Sequence, residues 1–175
     1  MTPEQLSSKI RTIPDFPKKG IVFRDITTLL QDGEAFAAAL EAMMAPIRGL
    51  KPDVIIGIES RGFIFGAALA HHAHKGLALA RKPNKLPLAS HREFYGLEYG
   101  QDSLEIQKST LPNDARVLLL DDVLATGGTL IAADKLIRNA GFTVCGAITL
   151  LEIGALNGSA ILNEHGISNK SVLTS

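Results

Sequence analysis

Val117-Leu118-Leu119-Leu120-Asp121-Asp122-Val123-Leu124-Ala125-Thr126-Gly127-Gly128-Thr129-Leu130 is the stretch whose reading decides the fold. An unbroken apolar run ends in two adjacent carboxylates, a short loop reaches Thr-Gly-Gly-Thr, and a helical pattern begins at the glycines. The apolar run suits a parallel strand covered on both faces. Glycines let backbone approach a ligand closely, and the free N–H groups of a helix start form an anion site. Ala125, Thr126, Gly127, Gly128 and Thr129 therefore suit a phosphate monoester. Asp121 and Asp122 beside them suit hydroxyl donors such as those of a ribose, or a hydrated magnesium ion. The patterns G-x-x-x-x-G-K-[ST] and G-x-G-x-x-G are both absent, so this is neither a P-loop nor a dinucleotide fingerprint.

Moving outward from this stretch, helix and strand patterns alternate. Upstream, Val54 to Ile58 and Gly76 to Ala80 read as strands, with a helix from Arg61 to His74 between them. Downstream, a helix over about 127–139 is stopped by Gly141, and Val144 to Leu151 is another apolar strand. Toward the N-terminus, residues 33–48 carry Phe36, Leu40, Met43, Met44 and Ile47 at helical spacing. Residues 3–12 predict a short helix, and Ile21-Val22-Phe23 a short extended piece after a proline-rich turn. Residues 83–105 predict a loop or hairpin excursion, and Val172-Leu173 an edge strand. Such alternation indicates an α/β fold with a doubly wound, mainly parallel sheet flanked by helices. Ligands in these sheets bind beyond the carboxyl ends of strands, so the functional loops should follow Ile58, Ala80 and Leu120.

Composition agrees with one globular domain spanning 1–175. The chain has 46% hydrophobic and 21% charged residues, and its 18 Lys+Arg balance 18 Asp+Glu. A zero net charge argues against nucleic acid or an anionic membrane as a partner of the whole surface. No apolar run approaches the roughly 18 residues of a membrane helix, and the polar N-terminus shows no signal peptide. The single cysteine, Cys145, sits in an apolar run and reads as a small buried hydrophobe. With no partner for a disulfide, it favours a reducing compartment, hence the cytoplasm. His71, His72 and His74 lie on a helical stretch without Cys or carboxylates at ligand spacing, so no metal site is expected there.

The segment from Val117 to Leu130 resembles the phosphoribosyl pyrophosphate signature of the type I phosphoribosyltransferase family. Pro14 to Thr27, Gly57 to Phe63, Arg81 to Pro87 and Leu97 to Gly100 are similar to further motifs of that family's adenine-specific branch, in the same order. The resemblance implies transfer of a phosphoribosyl group from phosphoribosyl pyrophosphate to adenine, giving AMP and pyrophosphate, as in purine salvage. It implies that residues 125–129 hold the 5′-phosphate and that Asp121 and Asp122 contact the ribose 2′- and 3′-hydroxyls. Ser60, Arg61, Arg81, Lys82 and Lys85 would bind pyrophosphate. Val22, Phe23, Arg24 and Val123 would bind adenine, with residues about 1–30 as a base-binding segment. Residues about 83–105 would be a flexible hood loop, in which Glu98 manages the purine proton and Tyr99 helps closure. Magnesium would travel with the substrate, with no direct protein cage and at most water-mediated contact to Asp121 and Asp122. A homodimer is the implied assembly. Rival readings are a phosphoribosyltransferase for hypoxanthine, xanthine or orotate, a non-catalytic regulator of the same fold, and a generic nucleotide-binding module. The regulator needs an added nucleic-acid-binding element, and the generic module needs neither Glu98 nor the Arg81/Lys85 cluster.

Overall fold

The computed structural model describes residues 1–88, 90–95, 102–108 and 111–175. Two compact units emerge, Met1–Ala42 and Met43–Ser175.

In the first unit, helix α1 spans Pro3–Ser7 and strand β1 spans Arg11–Ile13. The single helix expected over 3–12 is thus split. A capping box of Thr2 and Gln5, with Pro3 in the first turn, starts α1. Residues 11–13 leave the helix to pair antiparallel with β2, Phe23–Asp25. Between the two strands, Asp15 Oδ1 accepts from the Gly20 N–H (2.6 Å), and the Phe16 and Phe23 rings meet edge to face at 5.1 Å. Gly20 takes φ +88, a left-handed conformation that suits glycine. Helix α2 (Thr27–Gln31) follows. Helix α3 runs from Gly33 to Leu50, a little beyond the predicted 33–48, and carries Ala35 and Ala39 buried in its first half.

The second unit is built on a five-stranded parallel sheet. Its strands are β3 (Val54–Ile58), β4 (Gly76–Ala80), β7 (Arg116–Leu124), β8 (Thr143–Glu152) and β9 (Asn169–Thr174). Their order is β4-β3-β7-β8-β9, and every pairing is parallel. Helix α4 (Gly62–Ala73) connects β3 to β4 on one side of β3, whereas the chain next enters the sheet as β7 on its other side. The winding therefore reverses between β3 and β7, and a ligand crevice belongs at their carboxyl ends. Between β4 and β7, strands β5 (Ser90–Tyr95) and β6 (Asp102–Gln107) form the antiparallel hairpin expected within 83–105. Helices α5 (Gly128–Asn139) and α6 (Gly158–Glu164) complete the unit, and β9 is the edge strand that Val172-Leu173 suggested.

Strand periodicity divides the core. Val54, Ile56, Ile58, Val117 and Leu119 pack with Leu104 and Ile106 of β6 and with Leu130, Ala133, Leu136 and Ile137 of α5. The alternate residues Ile55 and Leu77 lie side by side in register on the other face. There α4 comes so close that a Cβ on Gly57 would lie 3.0 Å from the Gly62 carbonyl oxygen, and one on Gly66 3.2 Å from Leu77 Cδ1. Two expectations need correcting. Strand β7 does not stop at Leu120; its pairing with β8 continues to Leu124, which places the acid pair inside the strand. Cys145 is half-buried rather than buried, because β8 shifts register beside it.

Candidate active site

Two loops meet at the reversal point. The first follows β3 and consists of Glu59, Ser60 and Arg61, with the Glu59–Ser60 peptide cis. The second begins with Asp121 and Asp122 and continues from Ala125 to the start of α5. Gly62, the first residue of α4, joins them. A Cβ there would lie 2.7 Å from the Leu120 carbonyl oxygen and 3.1 Å from Asp121 Oδ1, so only glycine permits this approach.

The approach sets the electrostatics. Arg61 caps α4, where a cation meets the positive end of the helix dipole and requires a compensating anion. Asp122 supplies one: Arg61 Nε lies 2.8 Å from Asp122 Oδ2, an ion contact without hydrogen-bond alignment. Asp122 is 4% exposed, and burial lifts its carboxyl above the ordinary aspartate value, with the Arg61 charge opposing that rise. Asp121 is raised further, first by burial and then by the neighbouring Asp122 charge. Asp121 Oδ1 accepts from the Asp122 N–H (2.9 Å).

Leu124 through Leu130, with Asp121 and Val123, line one cavity at the carboxyl end of β7. Gly127 caps α5 at φ +84, a conformation that turns the chain sharply into the helix. The first N–H groups of a helix have no partner inside it, so Gly128, Thr129 and Leu130 offer backbone donors at the positive end of the dipole. The loop is braced from behind by α6. A Cβ on Gly158 would lie 2.2 Å from the Ala125 carbonyl oxygen and 2.8 Å from Leu124 side-chain atoms. Glu152 fixes that helix start by accepting from the Ser159 N–H (3.0 Å).

The basic residues after β4 are already engaged. Glu59 Oε2 accepts from Arg81 Nε (3.0 Å) and from the Lys82 backbone N–H (2.6 Å). Arg81 stacks over the Phe63 ring at 5.6 Å, and its backbone N–H and carbonyl both pair with Glu105 of β6. Lys82 Nζ is bonded to Asp102 and to Tyr95 Oη, the register partners at the inner end of the hairpin. Glu105 is 3% exposed and receives Arg92 Nε at 2.6 Å. Lys85 is exposed.

Sequence reading thus named Ser60, Arg61, Arg81, Lys82, Asp121, Asp122, Val123 and 125–129, and the second unit brings these to the ends of β3, β4 and β7. The motif Gly57 to Phe63 contains Glu59 and Gly62, but the sequence assigns no site role to either, nor to Gly158, Asp102 or Glu105. Glycine beside a strand–helix junction was the one signal available for Gly62. Glu98 and Tyr99 lie outside the described residues. In the first unit, Val22 is 49% exposed, Phe23 and Arg24 are half-buried, and Arg24 Nη1 donates to Thr12 Oγ1 (2.6 Å). His71, His72 and His74 are exposed, and among the described residues no group of three or more His, Cys, Asp or Glu could hold a metal ion. Among the described residues, too, no helix is long and apolar enough to cross a membrane.

Similarity to known proteins follows the same pattern. The family model for the phosphoribosyl transferase domain matches residues 27–160. The adenine phosphoribosyltransferase of Polynucleobacter necessarius subsp. necessarius is 69% identical over 163 residues, which are 93% of this chain and 95% of that protein. The crystal structure of adenine phosphoribosyltransferase from Thermoanaerobacter pseudethanolicus matches with TM-score 0.94 at 44% identity, covering 99% of this chain and 100% of the other. The enzyme from Saccharomyces cerevisiae, complexed with adenine and an iminoaltritol bisphosphate, matches with TM-score 0.89 at 31% identity, over 98% of each chain. Together with the parallel sheet, the acid pair and the glycine-threonine loop, these matches show that the chain belongs to the adenine phosphoribosyltransferases of the type I phosphoribosyltransferase family.

Proposed function

We propose that the reaction of this family, phosphoribosyl transfer from phosphoribosyl pyrophosphate to adenine to give AMP and pyrophosphate, runs at the carboxyl ends of β3 and β7. The observation that carries this reading is the Gly62 contact, which sets the 59–61 loop directly against the acid pair. Residues 125–129 hold the 5′-phosphate through backbone N–H groups and the Thr126 and Thr129 hydroxyls. That phosphate is an anchor, and the anomeric carbon moves between leaving group and nucleophile. Asp121 and Asp122 accept from the ribose 2′- and 3′-hydroxyls, and their charge favours the cationic character that develops on the sugar.

Ser60, Arg61, Arg81, Lys82 and Lys85 take the pyrophosphate. Arg offers bidentate contacts and Lys point charges to its oxygens. The resemblance assigns adenine to Val22 and Phe23, apolar and partly accessible side chains suited to a flat base, with Arg24 beside them in sequence, and separately to Val123. Glu98 accepts or returns the proton of the purine imidazole as the new bond forms, and Tyr99 helps exclude water.

Magnesium fits this donor set as a substrate-borne ion. Asp121 is a hard oxygen ligand that lines the phosphate-loop cavity, which suits an ion carried mainly by substrate phosphate oxygens. When bound, the ion would neutralise phosphate charge, and Asp121 and Asp122 are the residues that would hold it, at most through water. The assembly is a homodimer on the family resemblance, and the location is the cytoplasm, for which the lone Cys145 speaks.

The test is incubation with phosphoribosyl pyrophosphate, magnesium and, separately, adenine, hypoxanthine, xanthine, guanine and orotate. AMP is the expected product. A different nucleotide in excess of AMP, or none with any base, overturns the reading.

A further inference from the structure

We propose that Glu59 is a positioning residue for pyrophosphate, aiming the Arg81 guanidinium and the Lys82 backbone at it; this rests on the assignment of Arg81 and Lys82 to pyrophosphate made above. A carboxylate beside a polyanion is repelled by Coulomb's law, so a glutamate in this loop needs a compensating purpose. Its geometry supplies one. The Glu59 N–H donates to the Ala80 carbonyl (2.9 Å), extending the β3–β4 pairing one step past Ile58 and Ala80. This rung places the Glu59 side chain against the point where the chain leaves β4.

There a single oxygen, Oε2, receives both Arg81 Nε (3.0 Å) and the Lys82 N–H (2.6 Å). The Glu59 side chain is only 15% exposed. Burial raises its pKa, but the bonds from Arg81 and Lys82, with the charges of Arg81 and Lys85, carry it below the ordinary glutamate value. Glu59 is therefore an anion already satisfied on its basic side.

Arg81 is fixed from three directions. Its backbone is tied to Glu105 by N–H and carbonyl together, its guanidinium lies over Phe63 at 5.6 Å, and Glu59 holds Nε. Engagement at Nε leaves the two terminal nitrogens of the fork for an oxyanion. Among the described residues, the further contact is a long one of 3.5 Å from Nη1 to the Lys85 carbonyl. An arginine preset in this way loses less rotamer freedom on meeting pyrophosphate. The opposite role, a carboxylate competing with pyrophosphate for Arg81, predicts the opposite sign on removal of its charge.

The reverse reaction, AMP with pyrophosphate, separates the two substrates. Glu59→Gln should raise the KM for pyrophosphate about tenfold, as a charge-assisted pair becomes a neutral one, and leave the KM for AMP within about twofold. Glu59→Asp, which keeps the charge, should recover part of that loss, and it carries the same comparison should Glu59→Gln be too unstable to assay. Arg81→Ala should raise the pyrophosphate KM at least as much, and adding Glu59→Gln to it should change little further. Tighter or unchanged pyrophosphate binding in Glu59→Gln, or an equal rise for AMP, overturns the proposal. An Arg81→Ala variant with normal pyrophosphate KM instead removes the assignment beneath it, a failure distinct from a silent Glu59 in a protein that does respond to Arg81.

Discussion

The two loops at the reversal of the sheet are built differently. The β7 loop is continuous: its acids, glycines, threonines and helix start lie between Asp121 and Leu130, and its donors are largely backbone. The β3 loop is composite. Ser60 and Arg61 are local, but Arg81 and Lys82 arrive from the end of β4, held by Glu59 and by Asp102 on the hairpin. The difference suits the two ligands proposed for them. A phosphate that stays fixed is well served by rigid backbone donors, whereas a leaving pyrophosphate must be held and released, a task for side chains whose charges are balanced in its absence. Four experiments can break or sharpen this contrast.

The largest effect belongs to Glu98. Glu98→Gln should lower kcat about 10²–10⁴-fold with substrate KM values near normal. Steady-state kinetics check this, and near-normal turnover removes the proton role. Next, Asp121→Asn with Asp122→Asn should lower kcat/KM for phosphoribosyl pyrophosphate about 10²–10³-fold, the usual scale for removing transition-state charge stabilisation. Unchanged kinetics with that substrate would take the carboxylates out of the mechanism.

Gly158→Ala probes the brace behind the β7 loop. Its new methyl has no room at 2.2 Å from a backbone oxygen, so Ala125 must shift. A rise of about tenfold in the KM for phosphoribosyl pyrophosphate is expected, with about 1–3 kcal/mol lost in stability. Gly49→Ala, where a Cβ meets nothing within 4 Å, is the control.

The smallest effect is thermal. Asp121 has a raised carboxyl pKa, so the folded state holds its proton more tightly than the unfolded chain does. That contribution to stability is complete below the unfolded aspartate pKa and is lost as pH rises through the folded value. Above the unfolded aspartate pKa that contribution diminishes, so Asp121→Asn, which has no proton to lose, should raise Tm at neutral pH, by roughly 2–4 °C for each kcal/mol relieved. The gain should shrink toward pH 4. A lower Tm at neutral pH, measured by calorimetry, contradicts the shift.

The same contrast explains what the sequence disclosed. Val117 to Leu130 was legible because strand, acids and anion loop are contiguous, and alternating apolar runs sufficed for a parallel sheet. Glu59 was not legible, since its partners depend on β3 and β4 lying in register, which only the folded sheet establishes. No motif surrounds Gly158 in the sequence; its contact with Ala125 exists because α6 packs back on the end of β7. The split at residues 3–13 was missed because pairing with β2 overrode a weak helical pattern.

The division of labour itself is tested most directly by binding AMP and pyrophosphate separately to Arg81→Ala and Thr129→Ala, by calorimetric titration. Arg81→Ala should weaken pyrophosphate and leave AMP unchanged, whereas Thr129→Ala should weaken AMP and leave pyrophosphate unchanged. Equal losses for both ligands in both variants, or the reverse pairing, would contradict the account.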